Sequence, residues 1–161
     1  DITKVNLNKE YDNIISLFHV VSYLTTNYDI KHLFLNANNH LKKGGLFIFD
    51  IWYSPAVNSI KPETRIKRFS NDNFSVTRIA EPEIFVNQNI VDVNYTFLVK
   101  DKIKNQNLEF KEKHPMRHFS LPEIEFISYE SGFKLIQAEE WITGQEPSDK
   151  SWGICLILIK T

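Results

Sequence analysis

Residues 11–53 read YDNIISLFHVVSYLTTNYDIKHLFLNANNHLKKGGLFIFDIWY, and the fold turns on them. Tyr11–Val21 is a continuous apolar run with β-branched Ile14 and Ile15, the pattern of a strand buried on both faces. Ser22 to Asn27 turns the chain. From Tyr28 to Lys42, the residues Ile30, Leu33, Phe34, Ala37 and Leu41 repeat at the spacing of one helical stripe. Thr26 or Asn27 can cap that helix, and Asp29 suits its positive end. Lys42 and Lys43 suit its negative end, and Gly44 and Gly45 offer a left-handed exit. Leu46–Ile51, LFIFDI, is a second buried strand. Strand, helix, strand predicts two parallel neighbours in one sheet, joined by a right-handed crossover.

Outward from this unit the pattern changes. Residues 54–62, SPAVNSIKP, hold turns and at most a short helix. From Thr64 to Phe119 helical periodicity is gone. Val91, Val93, Tyr95, Phe97 and Val99 alternate with polar residues, the period of a half-exposed antiparallel strand. DKIKNQN reads as a hairpin turn, and the region predicts three or four antiparallel strands. Glu81 and Glu83, around Pro82, read as a turn. Ser120 and Glu123 form a capping-box pattern opening a helix over 121–131, stopped by Gly132. Phe133–Ile142 and Trp152–Lys160 read as two final strands, joined by a loop into a hairpin-like pair. The expected architecture is one α/β domain: 1–53 and 119–161 form the core, and 64–118 an antiparallel β insert at one sheet edge.

Composition narrows the function. The chain has 161 residues, 13% aromatic, which supplies a core and excludes a disordered chain. Nineteen basic against twenty acidic residues leave a formal charge of −1, which argues against a general nucleic-acid binder. Cys155 is the single cysteine, so neither an internal disulfide nor a cysteine-rich zinc site can form. A reducing, cytoplasmic setting is expected. No apolar run approaches the ~20 residues that span a bilayer, and from the polar start no signal peptide is expected. No membrane partner is expected. His114 and His118 lie too far apart along a strand to pair on a metal, so no metal is expected either.

Three stretches, in this order and spacing, resemble the C-terminal portion of class I S-adenosylmethionine-dependent methyltransferases. They are YDNIISLFHVVSYL, HLKKGGLFIFDIWYSP and KHPMRHFSLPEIEFISYESGFKL. The likeness is greatest to small-molecule members such as the deoxyaminosugar N-methyltransferases. It implies a partial Rossmann-like methyltransferase sheet, strands 4 to 7 of that fold. The family's Gly-rich loop and the acidic residue after its second strand are not in the sequence. The sequence also begins without Met, and Asp1-Ile2 resembles the end of the family's adenine-contacting motif. The expected cofactor is S-adenosylmethionine. The expected acceptor is a small polar molecule, a sugar nucleotide or amino sugar. A rival reading is a non-catalytic remnant of that fold used for binding or oligomerisation.

Ligands of open α/β sheets sit beyond the C-terminal strand ends, here Ser16–His19 and Asp50–Tyr53. His19 is a candidate base or cofactor-pocket wall, against a loop histidine bonded to backbone. Leu17 and Phe18 are candidates for lining the cofactor, against plain core. The resemblance adds Asp1 and Ile2 to the cofactor residues. It also places Tyr23 where relatives face the acceptor, against burial with its hydroxyl bonded. Trp52 and Tyr53 are candidate acceptor walls, against capping the core, and Asp50 is a weaker candidate for binding a hydroxyl or ammonium. In the resembled family the segment with His114 and Arg117 nears the acceptor, and Arg117 would grip a phosphate or carboxylate. The alternative there is a solvated edge strand. His32 and His40 read as solvent-facing. The family's fourth strand pairs on both sides, so residues 11–18 are expected to pair with another copy, with a missing N-terminal half or with a rearranged segment.

Overall fold

A computed structural model of the chain describes residues 1–161, with eight strands and three helices. The chain divides into two compact units, residues 1–61 with 117–161, and residues 62–116.

In the first unit, β1 (Tyr11–Ser16) lies parallel to β2 (Leu41–Tyr53), with Asn13 to Ser16 opposite Leu46 to Phe49. The helix between them, α1, runs Asn27–Asn39. Thr26 caps it, its Oγ1 accepting from the Asp29 amide at 3.0 Å. The expected stripe is the buried one: Ile30, Leu33, Phe34 and Ala37. The apolar run of residues 11–21 is strand only as far as Ser16. Beyond it, Phe18 and His19 turn left-handed and Val21–Tyr23 form a 3-10 turn.

The far end of α1 differs from its sequence reading. The helix stops before Lys42, and Lys160 from the last strand caps it, donating to the carbonyls of Asn38 (2.8 Å) and Leu41 (2.7 Å). Lys42 instead pairs with Asp12 at 2.7 Å. Gly44 is left-handed, but it serves an irregularity inside β2, where Tyr11 faces Leu41 and Asn13 already faces Leu46. Gly45 has no room for a side chain, since a Cβ would lie 2.9 Å from the carbonyl oxygens of Asp12 and Lys42.

β8 (Gly153–Lys160) runs antiparallel to β2, and β7 (Phe133–Glu140) antiparallel to β8, the expected terminal pair. α2 (Ser54–Ile60) follows β2, and α3 (Leu121–Glu130) precedes β7. Ser120 makes no side-chain cap; Glu123 turns to Arg117 instead. The core lies on one face of this sheet, where Phe47, Phe49, Leu156 and Leu158 meet Phe34 of α1 and Ile124 of α3. Phe34 contacts Phe47, Phe49 and Phe133 edge-on at centroid distances of 5.7, 5.6 and 6.3 Å. Burying each such ring contributes about 1.5–3 kcal/mol. His40 is buried rather than solvent-facing. Its Nδ1–H donates to the Asn36 carbonyl at 2.8 Å, and its Nε2 accepts from the Leu7 amide at 3.0 Å. That contact ties residues 1–10 to the C-terminal end of α1.

The second unit is an antiparallel meander of β3 (Arg65–Ser70), β4 (Phe74–Phe85), β5 (Ile90–Asp101) and β6 (Gln106–Phe119). β4 and β5 pair over their full length, so Glu81 and Glu83 lie within a strand and not in a turn. Val76, Arg78, Ala80 and Pro82 share a face with Val99, Phe97, Tyr95 and Val93. Along that face Arg78 lies over Tyr95 (5.2 Å), Tyr95 meets His114 edge-on (5.1 Å), and Phe97 stacks on Phe110 (4.7 Å). The last residues of β6 belong to the first unit, where His118 and Phe119 pair parallel with Trp52 and Tyr53.

Candidate functional site

The two parallel strands of the first unit end side by side, and their ends bring His19 to Asp50 and Trp52. Phe18 and His19 both have positive φ, +66° and +62°. For residues with a Cβ each costs roughly 1–2 kcal/mol, so the surroundings must hold the turn. Asp50 does so. It is completely buried, and its two carboxylate oxygens accept from the His19 amide at 3.0 Å each. The same carboxylate lies 2.7 Å from His19 Nδ1, off the axis of a straight ring hydrogen bond.

Three aromatic or backbone walls enclose the His19 ring. Trp52 stands edge-on at 6.4 Å and Trp141 tilted at 6.5 Å, between centroids. Below, Gly153 presents bare backbone; a Cβ there would lie 3.1 Å from His19 Cε1. Trp152 packs on the other side of Trp52 at 5.3 Å. The His19 Nδ1 atom is buried, yet a third of the side chain is exposed, so the open part of the ring is the remainder. The arrangement is an imidazole held by a buried carboxylate, in an aromatic crevice at the strand ends.

The other expected site residues are distributed as follows. Leu17 and Phe18 adjoin His19, and Phe18 is 80% exposed, forming an apolar ledge. Tyr23 is half exposed in the 3-10 turn that follows. Tyr53 points the other way from Trp52 and joins the core. Asp1 bonds within its own segment, accepting from the Thr3 amide at 2.9 Å. The Ile2 carbonyl accepts from Asn36 at 2.8 Å, near the C-terminal end of α1, where β1 begins. The structure therefore does not bring Asp1 and Ile2 to the end of β1 that carries His19. Arg117 is buried and committed: it donates to Glu123 at 2.5 Å and to the Thr25 carbonyl at 3.3 Å, with its guanidinium over Phe119. His114 lies in the second unit, 3.2 Å from Glu112.

The sequence marks Asp50 only as a weaker candidate and does not single out Trp141 or Trp152. Strand alternation does place Asp50 and Trp52 on one face, but nothing local signals that Trp141 folds back on His19. Opposite Trp52 in the sheet lies a buried histidine, His118, whose Nδ1 is 2.8 Å from Ser54 Oγ. Burial, and then the Arg117 charge, hold its pKa below the ordinary histidine range.

The sequence matches no family profile and no curated protein. Its fold is nevertheless shared. An S-adenosylmethionine-dependent methyltransferase from Clostridium acetobutylicum superposes with a TM-score of 0.82 at 22% identity, over 99% of this chain and 62% of that one. The chain has a methyltransferase fold. An amino pentose methyltransferase from Micromonospora echinaspora, involved in calicheamicin biosynthesis and solved with bound S-adenosylmethionine, gives 0.77 at 17% identity, over 100% and 63%. A sugar N-methyltransferase from a Streptoalloteichus species gives 0.79 at 12%, over 99% and 60%. The chain thus spans about three fifths of the length of these methyltransferase structures. Its element order, two parallel strands around α1 and then an antiparallel terminal pair, is the part of the methyltransferase fold that the sequence motifs suggested.

Proposed function

We propose that this chain is the acceptor-facing part of an S-adenosylmethionine-dependent methyltransferase acting on a small polar acceptor, with an amino sugar or sugar nucleotide preferred. The observation that carries the reading is the crevice at the ends of β1 and β2, where His19 stands between Trp52 and Trp141. When bound, S-adenosylmethionine supplies an electrophilic methyl group on a sulfonium. The exposed ledge of Leu17 and Phe18 beside His19 suits the apolar parts of that molecule, and an 80%-exposed phenylalanine in a left-handed turn is otherwise poorly accounted for. The fit is partial, since Asp50, the one buried carboxylate in the crevice, is committed to His19.

An acceptor ammonium must shed a proton to free its lone pair, and a hydroxyl must lose its proton as its oxygen takes the methyl group. The open edge of His19 is placed to take that proton, and general-base help of this kind contributes typically ~10²–10⁴-fold. Trp52 and Trp141 shelter the reacting group, and Tyr23 orients it, so that proximity supplies most of the remaining acceleration. The amino-sugar preference draws on the amino pentose and sugar N-methyltransferases of the same fold. β1 pairs with β2 alone, so its second edge offers an unmatched ladder. We infer that this edge takes a further strand, from another copy or from a preceding segment, because its unpaired N–H and C=O groups are a template for pairing.

The test is methyl transfer from radiolabelled S-adenosylmethionine onto a panel of amino-sugar nucleotides and their hydroxyl counterparts. Label should appear on the amino sugars. Cofactor binding without transfer to any acceptor would favour the non-catalytic platform instead.

A further inference from the structure

We infer that Asp50 is a positioning residue that fixes the tautomer of His19, keeping the proton on Nδ1 and the lone pair on Nε2 facing the crevice. The inference deepens the proposed methyl transfer and rests on that reading for its purpose, though not for its test.

Three observations meet here. Asp50 is wholly buried in β2, and the structure gives it no partner but His19. Its carboxylate oxygens lie at 3.0 Å from the His19 amide, while one of them lies 2.7 Å from Nδ1. An unprotonated Nδ1 at that distance would set its lone pair against a carboxylate charge. A neutral imidazole carries one ring proton, so placing it on Nδ1 leaves Nε2 free to accept. A buried carboxylate behind a histidine is a known means of setting which nitrogen is basic. The second observation is the left-handed pair Phe18 and His19, a strained conformation that the Asp50 contacts hold in place. The third is the close floor at Gly153, where even a methyl group would press on Cε1, which limits rotation of the ring. A carboxylate serving only to stabilise the turn would need the amide contacts alone.

Asp50→Asn separates these roles. The amide keeps an oxygen for the His19 amide but turns an N–H toward Nδ1, which must then accept. Nitrogen-15 NMR of the His19 ring, assigned with His19→Gln, reads the tautomer without cofactor or acceptor. The wild-type chain should show the Nδ1–H form at alkaline pH, and Asp50→Asn should show the Nε2–H form while keeping its circular dichroism. Wild-type chain in the Nε2–H form would overturn the inference, even if Asp50→Asn fails to fold. So would an Nδ1–H form that persists in a folded Asp50→Asn chain. Methyl transfer absent from a wild-type chain with the expected tautomer would instead count against the proposed function.

Discussion

In the unit of residues 1–61 and 117–161, Phe34, Phe47, Phe49 and Phe133 meet beneath α1 and α3, and each is buried. In residues 62–116, Phe97 and Phe110 stack on a strand face with no helix of that unit to cover it, and Phe110 stays half exposed. The aromatics are of the same kind but differ in their use. Helices over parallel strands make a dry core, and a rigid core lets the strand ends hold a strained turn such as Phe18 and His19. A meander without helices is held by cross-strand pairs and offers a surface in place of a core.

The largest effect should separate the two units directly. Phe34→Ala should cost about 3–5 kcal/mol in denaturant unfolding, whereas Phe110→Ala should cost only about 0.5–1.5 kcal/mol. Equal costs would break the comparison, because residues 62–116 would then contain a core of their own. Next comes the first unit's internal ion pair. Glu123→Ala leaves the Arg117 guanidinium buried without its carboxylate, and should lower stability by about 1.5–3 kcal/mol.

A pH effect of similar kind should follow from His118. Its folded pKa lies below its unfolded value, so the unfolded chain binds the extra proton as pH falls through the region near 6.5. Stability is therefore full above that range and declines below it, by at most about 1.4 kcal/mol per pH unit. Unfolding of His118→Asn should lose that part of the acid dependence; an unchanged profile would place the titration elsewhere. The smallest effect concerns Cys155, paired with Asp50 across β2 and β8. Burial, and then the Glu139 and Asp50 charges, push its thiol pKa up, so alkylation near neutral pH should be slow until the chain unfolds.

The first unit was more legible in the sequence than the second, for reasons visible in single residues. The stripe from Ile30 to Ala37 and the run LFIFDI are periodic signals that survive any tertiary context, and both became the elements they predict. His19 and Trp52 could be brought together because two parallel strands end at them. What failed depended on distant chain. Lys160 caps α1 from more than a hundred residues away, which left Lys42 free for Asp12. Glu123 looked like a cap partner for Ser120, but the stronger attraction of Arg117 takes it. Trp141 closes the crevice from beyond the end of β7, and no spacing rule connects it to residue 19.

The central claim is that His19 takes the acceptor's proton in the crevice it shares with Trp52. Steady-state methyl transfer by His19→Gln, against wild-type protein and Trp52→Phe, tests it most directly. The account predicts a kcat about 10²–10⁴-fold lower for His19→Gln at nearly unchanged cofactor affinity. A His19→Gln protein that transfers methyl groups at the wild-type rate would contradict it.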